Sequence, residues 1–178
     1  MALTPKQARA VYDRIGRVQD WQAFYEDATT DRLVANADFA GDQKIFEFGC
    51  GTARLAAQLL TALPADDGFA DRVLSTFVFD LLDAEYARAV LDDLRRILTR
   101  GGRLCLASLT HGDRPLEQAV SRAWTGLWRV APQLVGGCRP IAVSALLGDD
   151  WHIQHHSRVH RWGLVTDVVI ATPSTCQR

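Results

Sequence analysis

The sequence predicts an α/β protein: a mostly parallel sheet that ends in a C-terminal antiparallel hairpin. Three observations carry this. Strand-like and helix-like segments alternate from residue 44 onward. The run Arg72–Phe79 is almost continuously apolar, as in a strand covered on both faces. Two final strand-like runs are joined by the tight pair Trp162-Gly163.

Taken in order, residues 5–16 form a predicted helix with Thr4 as cap and Pro5 in its first turn. Residues 18–35 read as two short helices broken near Thr29-Thr30, with Asp31 capping the second. Lys44–Phe48 is a short apolar strand. Ala53–Leu63 is a helix stopped by Pro64, and Ala65-Asp66-Asp67-Gly68 is a turn. After the strand Arg72–Phe79, the segment Ala84–Thr99 repeats apolar residues at Ala87, Val90, Leu91, Leu94, Ile97 and Leu98, a helical stripe. Gly101-Gly102 is expected to cap it, and Arg103–Leu109 is the next strand. Asp113 and Pro115 open a helix whose apolar face carries Leu116, Val120, Trp124, Leu127 and Trp128. A loop over 131–140, a short helix Ile141–Leu147 and the strands Trp151–Arg161 and Leu164–Ala171 complete the chain. The expected organisation is one domain, with residues 1–40 as a helical cap and 41–178 as the α/β core.

Composition narrows the function classes. The chain has 178 residues, 48% hydrophobic and 23% charged, with a net charge of −1. That balance offers no bulk attraction to nucleic acid or to anionic membranes, and neither is expected as a partner. No apolar run approaches the roughly 18 residues of a spanning helix. The first ten residues lack the apolar core of a signal peptide. Cys50, Cys105, Cys138 and Cys176 are scattered without a C-x-x-C pair. A cytoplasmic location is the expectation.

The segment Ile45-Phe46-Glu47-Phe48-Gly49-Cys50-Gly51-Thr52-Ala53-Arg54 is a strand, a glycine turn and the start of a helix. Glycines let backbone approach a ligand closely, and the helix start offers unpaired N–H groups. A dinucleotide fingerprint needs a glycine where Arg54 stands. The acid two residues before the first glycine suits another family: the stretch resembles the first motif of the class I S-adenosylmethionine (SAM)-dependent methyltransferases. Two further blocks extend the resemblance. Asp71–Leu82 is similar to that family's fourth strand and following loop. Leu94-Arg95-Arg96-Ile97-Leu98-Thr99-Arg100-Gly101-Gly102-Arg103-Leu104 is similar to the helix and glycine turn before its fifth strand. Tyr12-Asp13-Arg14-Ile15-Gly16 resembles the cap helix of small-molecule members. The resemblance implies SAM as cofactor and a small-molecule methyl acceptor. It implies cofactor contacts from Tyr12, Glu47, Gly49, Cys50, Gly51, Thr52 and Phe79. Ala53 replaces the family's third glycine, a difference of one methyl group.

One part of the family pattern has no room. The family's second strand ends in an acid that accepts hydrogen bonds from the ribose, and a helix and third strand follow. A strand–helix–strand unit takes on the order of 30 residues or more. Between Gly51 and Phe69 there are 17, and the helix Ala53–Leu63 uses most of them. The expected sheet therefore lacks the family's second strand, second helix and third strand. Each charge-assisted hydrogen bond is worth roughly 1.5–3 kcal/mol. Losing two to the ribose weakens cofactor binding by about a hundredfold or more. Strand 44–48 becomes a sheet edge, which invites pairing with another chain, so a homodimer through that edge is an expectation.

Placing the ends of the parallel strands on one rim gathers Gly49–Thr52, Phe79–Leu82 and Ser108–His111. His111 is the candidate base, because an unperturbed imidazole titrates near neutrality. An exposed loop histidine is the plainer account. Tyr25, Asp80 and His111 are the candidates to line the substrate pocket, although Asp80 also suits a helix cap and Tyr25 ordinary packing. Asp66 and Asp67 read as solvated turn residues. His152, His156 and His160 are expected to share one strand face with Arg158 while His155 points away. Neighbours four residues apart on a strand are about 13 Å apart, too far to chelate one ion, so no metal is expected. Two functions compete: a SAM-dependent methyltransferase, and a methyltransferase-like binding or regulatory module without catalysis. An internal deletion that leaves a defective relative is a third account.

Overall fold

The computed structural model describes residues 23–41, 43–48, 63 and 65–174. The predicted helix at 5–16, the glycine turn at 49–52 and all of the predicted helix Ala53–Leu63 except Leu63 lie outside the described residues. The described residues form α1 (Ala23–Ala37), β1 (Ile45–Glu47), β2 (Ala70–Thr76), α2 (Ala84–Ile97), β3 (Leu98–Thr110), α3 (Pro115–Val130), α4 (Val143–Leu147), β4 (Trp151–Arg161) and β5 (Leu164–Pro173). Short 3-10 turns fall at Phe79–Leu81, Pro132–Val135 and Gly148–Asp150.

The five strands make one sheet in the order β1-β2-β3-β5-β4. The pairs β1–β2 and β2–β3 are parallel; β3–β5 and β5–β4 are antiparallel. This is the predicted parallel sheet with a terminal hairpin. Trp162 (φ 51°) and Gly163 (φ 81°) both take left-handed backbone, as a two-residue hairpin turn requires. Among the described residues β1 has a strand neighbour on one side only, and Ile45 on it is 49% exposed.

Helices cover both faces of the sheet. α2 and α4 cover one, burying Val90, Leu91, Leu94, Ile97, Val143 and Leu147 with Val73, Leu104, Leu106, Val169 and Ala171. α1 covers the other, where Leu33 and Ala37 meet Cys105, Val159, Val168 and Ile170. α1 is continuous through Thr29-Thr30, contrary to the predicted break. Buried Thr29 places its Oγ1 2.7 Å from Thr166 Oγ1 on β5. A tertiary partner removes the competition with backbone that usually disfavours threonine in a helix. At the other end of α1, buried Arg72 donates from Nε to the carbonyl of Ala37 (2.8 Å) and from Nη2 to that of Asp38 (2.8 Å). It thereby satisfies carbonyls that the helix end leaves open.

Other boundaries moved for local reasons. β2 starts at Ala70 and stops at Thr76, because Phe77 turns the chain at φ 54°. Gly101-Gly102 does not cap α2: the helix ends at Ile97 and Leu98 is already extended. The pairing jumps from Ala70↔Leu98 to Arg72↔Arg103, so Thr99–Gly102 forms an irregularity inside β3. A Cβ on Gly102 would stand 2.8 Å from Leu98 Cδ2 and 3.0 Å from the Ala70 carbonyl oxygen. Glycine is there for close packing. Asp113 is not the cap of α3; Asp113 and Arg114 both donate their backbone N–H groups to Glu117 Oε2, at 3.2 and 3.1 Å. The apolar stripe of α3 is only half used. Val120 and Trp124 pack on Leu109 and Leu164, while Leu116 is 70% exposed.

Among the described residues, no helix is long and apolar enough to cross a membrane.

Candidate functional site

The parallel strands end on one rim. Phe48 follows β1, buried, its N–H donating to the Leu74 carbonyl (2.8 Å). Its ring lies 6.4 Å from that of Phe79, tilted by 53°. Phe79 is buried in the core. It belongs to the 3-10 turn that carries Asp80 back toward the end of β3. Asp80 is 1% exposed, and its Oδ2 accepts the Leu109 N–H at 3.4 Å. Its Oδ1 is buried with no hydrogen-bond partner among the described residues. Desolvation pushes its pKa up to about 7, with the charge of Glu26 on α1 adding to the rise. The backbone N–H groups of Leu109 and of Asp80 itself, with the charge of Arg139, act in the opposite direction.

Asp80 does not cap the following helix. Asp83 does, accepting from the Tyr86 N–H at 2.8 Å. Asp80 is instead enclosed by the loop after α3. The Arg139 N–H donates to the Asp80 carbonyl (3.1 Å), and Arg139 Nη2 donates to the Leu82 carbonyl (2.7 Å). The guanidinium carbon of Arg139 stands 5.2 Å from the centre of the Trp128 ring. That loop is held by two indoles: Trp124 Nε1 donates to the Cys138 carbonyl (3.0 Å) and Trp128 Nε1 to the Gly137 carbonyl (2.8 Å). The Ile141 N–H closes it onto the Leu109 carbonyl (2.9 Å). Burial holds the Cys138 thiol protonated, reinforced by the charges of Asp80 and Glu26. The tryptophans predicted as packing residues therefore anchor the loop that encloses Asp80.

His111 is exposed just beyond β3, two residues past the N–H that binds Asp80. Phe79 and Asp80 are brought together with the end of β3. Tyr25 lies in the first turn of α1, with its side chain outside the described ones, and Tyr12, Gly49, Cys50, Gly51 and Thr52 lie outside the described residues. Glu47 is exposed at the end of β1. The sequence reading missed Glu26, Cys138 and Arg139. The available signal was Gly136-Gly137 with Arg139-Pro140, a turn dense enough in glycine and proline to mark a shaped loop.

The histidine strand differs from its prediction. Ile153 pairs with Ala171 and His155 with Ile170, so Gln154 is an extra, bulged residue. The bulge reverses the side-chain alternation, so by register His152 faces the α1 side with His155, opposite His156 and His160. Arg158 keeps the face of the last two. His156 Nε2 lies 3.0 Å from Asp167 Oδ1, which also accepts from Arg158 Nε at 3.2 Å. Arg158 reaches Asp113 as well, which holds the Asp113 carboxyl below its usual range. His160 Nδ1 lies 2.9 Å from Glu117 Oε1. These pairs fasten α3 to the hairpin. Among the described residues no group of three or more His, Cys, Asp or Glu side chains converges for a metal.

An open parallel sheet whose strand ends, a buried carboxyl and a shaped loop share one rim defines a Rossmann-like α/β protein with its site at the strand carboxyl ends. No protein-family model and no curated protein matches the chain. Solved structures do resemble it. LaPhzM superimposes with a TM-score of 0.59 at 17% identity, over 97% of this chain and 62% of its own, so this chain spans less than two thirds of that protein. The [4+2]-cyclase SpnF gives 0.65 at 14% identity over 97% of each chain. A SAM-dependent methyltransferase of Thermotoga maritima gives 0.60 at 15% identity, over 94% of this chain and 100% of its own. The chain has the class I methyltransferase fold.

Proposed function

We propose that this chain is a SAM-dependent methyltransferase acting on a small molecule. The observation that carries the reading is the sheet order: β1, the strand that ends in Glu47, lies beside β2, whose end brings Phe79 and Asp80 to the same rim. The fold of proteins named as SAM-dependent methyltransferases supports it. Buried Phe48 follows β1 at the rim and directly precedes Gly49 in the chain. Glu47, Gly49, Cys50, Gly51 and Thr52 would hold the methionine side of the cofactor, with Tyr12 and Phe79 beside them. When bound, SAM supplies an electrophilic methyl group. On the ribose side the fit is incomplete, because no described strand lies beyond β1 to present an acid.

That incomplete half favours the second reading, a methyltransferase-like binding module. SpnF, named as a cyclase, gives it a precedent: the fold is not confined to methyl transfer. Calorimetric titration with S-adenosylhomocysteine separates the two. The enzyme reading expects binding that Gly49→Val or Gly51→Val abolishes while the fold survives. No heat at high ligand concentration supports the module.

A further inference from the structure

Three buried acids occur among the described residues: Asp80, Glu117 and Asp167. Glu117 is satisfied by two backbone N–H groups and His160, and Asp167 binds His156 and Arg158 through Oδ1, while its Oδ2 is buried without a hydrogen-bond partner among the described residues. Asp80 has no hydrogen bond or ion pair with another side chain among the described residues. Its Oδ2 has one long bond to the Leu109 N–H, and its Oδ1 has none among those residues. A buried carboxyl oxygen left open is costly, and such an atom in a folded protein calls for a donor. The surroundings restrict the donor's charge. Glu26 on α1 places a second acid within electrostatic range of both Asp80 and Cys138. The nearby cation, Arg139, is already committed to the Leu82 carbonyl and the Trp128 ring. The Phe48 and Phe79 rings stand at the same end of the sheet.

We infer that Asp80 is the binding residue for the methyl acceptor, and that the acceptor is an amine, its N–H donating to Asp80 Oδ1. This rests on the proposed methyl-transfer reading for the role of the ligand, and on Asp80 and its neighbours for the ligand's chemistry. An anionic acceptor would meet the Asp80 carboxyl. An alcohol would fill the hydrogen bond without using the charge. Amine binding should strengthen as pH rises through the neutral range, because Asp80 gains its charge there while an alkylamine keeps its own. The groups acting on Asp80 in that titration are Glu26 from α1, the Leu109 N–H from β3, and Arg139 from the loop.

The test titrates the full chain with methylammonium and 2-phenylethylamine, with 2-phenylethanol and 3-phenylpropionate as controls. It follows the backbone amide resonance of Leu109, whose N–H bonds to Asp80. The expected result is saturable movement with at least one amine, stronger at pH 8 than at pH 6. Affinity should fall about tenfold in Asp80→Asn. No response to either amine, an equal response to 3-phenylpropionate or 2-phenylethanol, or unchanged affinity in Asp80→Asn overturns the inference. Should Asp80→Asn fail to fold, amine affinity that is equal at pH 6 and pH 8 in the wild type does so. S-adenosylhomocysteine titrated into the same samples reports separately on the methyltransferase reading. Its binding without an amine response sinks the amine alone; an amine response without it sinks methyl transfer alone.

Discussion

Asp80 gives the clearest consequence at the scale of one residue. In the folded protein its carboxyl holds a proton up to about pH 7, whereas its ordinary value is 3.8. Protonation therefore favours the fold. The contribution is complete below about pH 4 and is lost as pH rises through about 7, on the order of a few kcal/mol. Urea denaturation at pH 5 and pH 8 should show a loss of stability in the wild type that Asp80→Asn lacks; equal slopes would mean that Asp80 titrates normally. At this scale the sequence was only partly legible. It placed Asp80 at a strand end, where it suited either a cap or a ligand contact. The cap fell to Asp83, three residues before the N–H it binds, as an N-cap carboxylate requires. Arg72 was not legible at all, because nothing in a strand of valine and leucine marks an arginine that turns to hold the end of another helix.

At the scale of elements, Arg96 near the end of α2 clasps the segment that returns the chain to β2. It donates to the carbonyls of Ala65 (2.9 Å) and Leu63 (3.2 Å), and pairs with Asp67 (2.7 Å) and Asp93 (2.6 Å). Asp93 in turn accepts the Leu63 N–H. Arg96→Ala should cost about 1–3 kcal/mol, read by chemical denaturation, because it frees two carbonyls and part-buried Asp93 together. Gly102→Ala should cost a similar amount, about 1–3 kcal/mol, since its methyl meets Leu98 and the Ala70 carbonyl inside an irregular pairing. A Gly102→Ala protein as stable as wild type would show that β3 relaxes around it. Periodicity found α2, α3 and both hairpin strands, because a buried face repeats along the chain. It missed continuity through Thr29-Thr30 and the direct passage from Ile97 to Leu98, because both depend on contacts made far away in sequence.

For the whole molecule, alternating elements were enough to anticipate the parallel sheet and its terminal hairpin. The glycine motif suggested the rim on which ligands sit. Loop 136–141 was not legible as part of that rim, since indole hydrogen bonds over 9 and 14 residues hold it there. The exposed Ile45 on β1, with a paired strand on one side among the described residues, leads to a prediction about assembly. An open edge of this kind favours pairing between copies. Sizing chromatography should show a dimer that grows with concentration, and Ile45→Lys should shift it toward the monomer. A strictly monomeric wild type at high concentration would rule out this edge as a contact.

The bulge at Gln154 bears on how this chain should be compared with others. Trp151 is buried on one side of that single residue and Val159 on the other, and they face opposite sides of the sheet. Gln154 thus acts as a phase marker. Any alignment that runs residues 151–161 against an unbulged strand without a gap will match inward side chains with outward ones over half its length. Deleting Gln154 would instead restore unbroken alternation, with Ile153 still opposite Ala171 and His155 opposite Ile170, so Trp151 and His152 would keep the faces they now occupy.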